Sequence, residues 1–100
     1  MSETKAVPVK FTIDEATAQG QYVNFANILH NPTEFVLDFG RVVPGRPDVK
    51  VLSRILTTPF HAKQLLRALQ ENVAIYERAY GEIRSDFAVP TPAQSDTKTN

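Results

Sequence analysis

The chain has 100 residues, enough for one domain. Eleven Lys and Arg balance eleven Asp and Glu, and there is no cysteine. This excludes disulfides and thiolate metal sites, and it argues against the basic footprint of a nucleic-acid binder. No apolar run is long enough to span a membrane, and MSETKAVPVK lacks the apolar stretch of a secretory signal, so the expected setting is the cytoplasm.

The ends read as disordered. Residues 1–6 have no apolar period, and residues 84–100 are rich in Pro, Ser, Thr and Asp, a composition that cannot offset its ordering entropy. That leaves a single α+β domain over about 7–83. In a chain that short, ordering costs nearly cancel burial, and without disulfides the expected support is self-association.

Val7, Val9, Phe11 and Ile13 alternate with Pro8, Lys10, Thr12 and Asp14, the period of a half-buried strand over about 7–14. Pro8 suggests an edge position, because proline cannot donate to a ladder. A second strand is expected over about 22–30. Asn31-Pro32-Thr33 is a turn signal, and a third strand follows over about 34–43. Phe35, Leu37 and Phe39 share one face of it, and Val36, Asp38 and Gly40 the other. Gly40 alone in a strand reads as a bulge or a close approach. The loop Pro44-Gly45-Arg46-Pro47-Asp48 leads to a fourth strand over about 49–56. Its alternation puts Val49, Val51, Ser53 and Ile55 on one face and Lys50, Leu52, Arg54 and Leu56 on the other. Short connections imply a four-stranded antiparallel meander.

A long helix over about 59–80 closes the domain. Thr58 is placed to cap it, Pro59 suits its first position, and Gly81 is placed to end it in the left-handed region. Ala62, Leu65, Leu66, Leu69, Val73, Tyr76 and Tyr80 form an apolar stripe at helical spacing. Phe60, Ile75 and Ala79 fall off it and hint at a second contact surface.

Chemistry-bearing residues are sparse. His61 lies close to Thr57 and Thr58, which allows a base beside a hydroxyl nucleophile, with Asp38 as a possible member; a polar residue on an exposed first turn is the simpler reading. His30 is the only other histidine, no metal spacing is present, and no catalytic residue or cofactor is assigned. Asp38 and Arg54, inside apolar strands, must be paired or solvated, and a cross-strand ion pair is expected. The candidate partner-interface residues are Tyr22, Asn24, Val36, Asp38, Arg54, Phe60 and Ile75.

Tyr22-Val-Asn24, Glu34-Phe-Val-Leu-Asp38-Phe39, Pro44, Ser53-Arg54-Ile55, Pro59 with His61-Ala-Lys63, Ala68-Leu69, Asn72, Tyr76-Glu77 and Gly81-Glu-Ile83 form an ordered motif string. It resembles a small family of bacterial and archaeal proteins classed as a domain of unknown function. That resemblance brings no activity with it. The expected architecture also resembles the protomer of SecB-type export chaperones, which implies dimers or tetramers that hold unfolded clients in apolar grooves. The leading expectation is therefore a non-enzymatic, homo-oligomeric binding or adaptor protein, with a possible protein client and no membrane partner. The alternatives are a small hydrolase or ligand-binding enzyme centred on His61, or a small nucleic-acid-associated regulator.

Overall fold

The computed structural model describes residues 6–85. The elements in chain order are a helical turn α1 (Glu15–Ala18), strands β1 (Phe25–Asn31), β2 (Glu34–Val42) and β3 (Val49–Thr57), and helix α2 (Pro59–Tyr80). The strands form one antiparallel sheet in the order β1-β2-β3. The expected disordered ends lie outside the described residues, apart from Ala6, Arg84 and Ser85.

The architecture is α+β, as the periodicities predict, but the described sheet has three strands, not four. The expected first strand over 7–14 is not formed. Val7, Val9, Phe11 and Ile13 alternate as a strand should, yet they stand exposed, Phe11 at 90%. Alternation states which face could be buried; it does not supply the neighbouring strand whose N–H and C=O groups would make a ladder. The chain turns a corner after this segment. Asp14 caps α1 by accepting from the Thr17 N–H at 2.8 Å, and the Gly20 N–H donates to the Thr17 carbonyl.

The β1–β2 hairpin closes over two residues. Pro32 cannot adopt the positive φ of the usual primed hairpin turns, and among the described residues no non-glycine does. Asn31 compensates, its Oδ1 accepting from both the N–H and the hydroxyl of Thr33. The β2–β3 loop contains the turn Val43-Pro44-Gly45-Arg46, with Pro44 presetting φ, Gly45 at φ +86°, and the Arg46 N–H donating to the Val43 carbonyl.

The β2–β3 register slips at Phe39/Gly40. Phe39 pairs with Ser53 but Gly40 with Val51, so Leu52 is the extra residue of a bulge. A Cβ at Gly40 would lie 2.6 Å from the Lys50 carbonyl oxygen, so the strands approach where only glycine fits. The bulge corrects the faces read from simple alternation. Val49 and Val51 pair with Val42 and Gly40, on the side of Asp38, Arg54 and Leu56 rather than with Ser53 and Ile55.

Helix α2 starts where expected. Thr58 accepts the His61 N–H at 3.1 Å and Pro59 occupies the first turn. Gly81 ends it at φ +102° and ψ 167°, positive in φ as expected but extended rather than left-handed helical; its N–H still donates to the Glu77 carbonyl. The Glu77 carboxylate then accepts from the Ile83 N–H at 2.9 Å and ties down the following chain. At about 1.5 Å per residue, 22 residues span about 33 Å. The helix lies over Phe35 and Leu37 on one sheet face but sits on it loosely. Among the described residues Leu37 is the one buried large apolar side chain, and no residue of α2 is buried.

Candidate functional site

Beside the exposed 7–13 segment, two surfaces carry uncommitted apolar area. The first is a groove under α2. Ile28 of β1 and Phe35 and Leu37 of β2 form its floor, and Leu65, Leu66 and Leu69 of α2 form its wall, around a cavity of about 480 Å³. The helical stripe puts the leucines there, but the sheet is too narrow to meet them, and Leu69 keeps 59% of its exposure. The sequence signalled both walls separately and not the gap between them. Of the three strands, β1 and β2 line it and β3 does not.

The second surface is the opposite sheet face. The pairing Asn27↔Asp38↔Arg54 crosses all three strands at its centre, with Leu29↔Val36↔Leu56 beside it. Arg54 donates from Nε to Asp38 Oδ1 at 2.7 Å and from Nη2 to Oδ2 at 2.8 Å, a bidentate fork. The expected pairing of Asp38 with Arg54 is present. Asp38 is buried and Arg54 stays open. The two hydrogen bonds from Arg54 hold the Asp38 carboxyl below its ordinary pKa, outweighing burial, which acts the other way; the same bonds raise Arg54. Val51 and Leu56 remain half-exposed around the pair.

The remaining candidate interface residues are scattered. Asn24 is structural: its Oδ1 accepts from the Val42 N–H at 2.8 Å and its Nδ2 donates to the Val42 carbonyl, while its own N–H donates to Gly40. It extends the β1–β2 ladder with an amide in place of a peptide. Tyr22 is exposed beneath the Arg41 guanidinium, 5.4 Å from the ring centre. Phe60 is exposed, edge-on to the His61 ring at 5.1 Å, and Ile75 is exposed four turns along the same helix. Val36, Asp38 and Arg54 therefore share one surface, whereas Tyr22, Phe60 and Ile75 lie apart from it.

Of the residues of the catalytic alternative, His61 and Thr58 meet, but Asp38 does not join them. His61 Nδ1 lies 2.8 Å from Thr58 Oγ1, which also accepts the His61 N–H, an arrangement that serves the helix cap. Asp38 lies on the sheet face away from α2, with both oxygens engaged by Arg54. Among the described residues no three His, Asp or Glu side chains gather as metal ligands, and no helix is long and apolar enough to cross a membrane.

The sequence matches DUF3467, a protein family of unknown function, over residues 1–85. The chain belongs to the DUF3467 family. Comparison with curated proteins and with solved structures gives no match. The DUF3467 match takes in the 7–13 segment together with the sheet and α2, so all three are parts of one family domain.

Proposed function

We propose that this DUF3467 chain is a non-enzymatic, homo-oligomeric binding protein. The observation that carries the reading is the burial: one buried large apolar side chain, Leu37, in a described region whose 22-residue helix has no buried residue. A domain of this size ordinarily buries about 60% of its unfolded surface. Ordering costs of about 1.5 kcal/mol per residue need that burial to be offset. A second copy supplies it from the same sequence, since closed two-fold assembly is the commonest solution for exposed apolar surface on homomeric proteins.

The bidentate Asp38–Arg54 pair supports a selective rather than merely sticky contact, because a partner that unpaired it would strand a buried charge. The narrower version of the reading is a SecB-like holdase in which the assembly shelters apolar segments of a protein client. Its setting is the cytoplasm, in keeping with the cysteine-free sequence.

Light scattering at micromolar concentration tests the core of the reading and is expected to give a dimer or tetramer. A folded, cooperative monomer refutes it. In the same preparation, suppression of a model enzyme's thermal aggregation is expected of a holdase, and unchanged aggregation removes the holdase version while leaving self-association in place.

A further inference from the structure

The groove between α2 and the sheet takes the helix from Pro59 to Leu69. A second hollow, of about 280 Å³, lies further along, and among the described residues α2 alone lines it: Leu66, Leu69, Gln70, Val73, Ala74 and Glu77. Lys63, Leu66, Gln70, Val73 and Glu77 recur at alternating steps of three and four residues, the spacing of a seam that packs against another helix. Its leucine and valine are exposed, as is Leu69 beside them. Its two charges have no ion-pair partner among the described residues, whose ion pairs, Arg46–Asp48 and Arg54–Asp38, lie elsewhere. Glu77 is nevertheless held in place, because its Oε2 accepts the Ile83 N–H at 2.9 Å.

The order of these residues has a direction. Lys63 and Glu77 stand equally far from Gln70, seven residues before it and seven after. Two such helices running opposite ways about a two-fold axis at Gln70 set each Lys63 level with the Glu77 of the other copy. The same axis sets Leu66 level with Ala74, a large side chain against the small one that leaves the hollow. It sets Gln70 against its own copy, and an amide carries both donors and an acceptor, so two of them can pair. A parallel pair would instead stack Lys63 on Lys63 and Glu77 on Glu77. We infer that α2 of one copy packs antiparallel along α2 of a second copy, about a two-fold axis at Gln70. This rests on the self-association proposed above and specifies its interface. Each contact occurs twice, as a closed two-fold contact requires.

The cysteine-free sequence makes the test direct. Full-length chains carrying one cysteine, Gln70→Cys or Lys63→Cys, are treated with a short bismaleimide. Gln70→Cys lies on the axis and is expected to link to its own copy. Two Lys63→Cys thiols stand about 21 Å apart along the pair, at about 1.5 Å per residue, and are expected not to link. Separately, Lys63→Glu and Glu77→Lys are each expected to weaken association about tenfold, since each reverses two charge contacts. A mixture of the two variants is expected to restore it, because in the mixed pair every one of these positions meets its opposite charge. If the protein self-associates but Gln70→Cys does not link, Lys63→Cys links as readily, or the mixture stays as weak as its components, the helix pairing is overturned and self-association stands. A folded wild-type monomer overturns both.

Discussion

Gly40→Ala is the sharpest perturbation of the sheet. The added methyl would lie 2.6 Å from the Lys50 carbonyl oxygen and 3.1 Å from Val49 Cγ1. An ordinary carbon–oxygen contact is longer by several tenths of an ångström, and the obstructing atom is backbone in a paired strand, so a rotamer change gives no relief. Forced overpacking of this kind costs about 1–3 kcal/mol. In a domain of this size each kcal/mol moves the midpoint by about 4–8 °C, which gives a loss of roughly 5–20 °C. The other escape is to abolish the bulge and slip β3 by one residue. That would carry Val49 and Val51 off the Asp38 face and bring Lys50 onto it, altering the surface as well as the stability. Thermal unfolding at matched protein concentration reads the first outcome, since an oligomer's midpoint depends on concentration. Light scattering reads the second. A Gly40→Ala protein that melts within about 0.5 kcal/mol of wild type, a typical surface effect, and assembles normally would show that the close approach at Gly40 is not a constraint.

The Asp38–Arg54 pair predicts an acid limb of stability. The folded-state pKa of Asp38 lies below its ordinary value, so the carboxylate's contribution is present above about pH 4 and is lost as pH falls through the lowered folded value. Asp38→Asn is expected to lower stability near neutrality and to flatten part of the decline below about pH 4 in melting midpoints; an unchanged acid limb refutes the assignment. At the helix start, Thr58→Ala removes the oxygen that accepts the His61 N–H. A loss of about 1 kcal/mol is expected, with Thr58→Ser retaining most of the stability in urea unfolding. Equal loss in both variants would mean that the Thr58 methyl, not its oxygen, matters.

The parts legible in the sequence are those set by local chemistry. Thr58, Pro59 and Gly81 mark the ends of α2, and Asn31-Pro32-Thr33 marks the hairpin, because caps and turns are decided within a few residues. Asp38 and Arg54 were legible as a pair because two opposite charges inside neighbouring apolar strands have few other partners. The bulge was signalled by Gly40, but its effect on β3 was not, since inserting one residue reverses the facing of every residue beyond it. On the candidate surface, Val36, Asp38 and Arg54 share one sheet face. Tyr22 was engaged by Arg41 and Asn24 by Val42, contacts that depend on the fold bringing residues 18 or 19 apart together.

The missing first strand and the unburied helix are one fact seen from two sides. Segment 7–13 has an apolar face without a ladder, and α2 has an apolar stripe without enough sheet beneath it. Had the segment joined its own β1, it would have widened the floor under Leu65, Leu66 and Leu69 and met both needs within one chain. The Asp14–Thr17 corner and the 90% exposure of Phe11 describe a chain that does not take that route. Apolar content of 42% is ordinary for a packed domain, so the shortfall in burial does not come from composition. It comes from where the chain places its apolar faces, and that placement is the ground for the self-association proposed above.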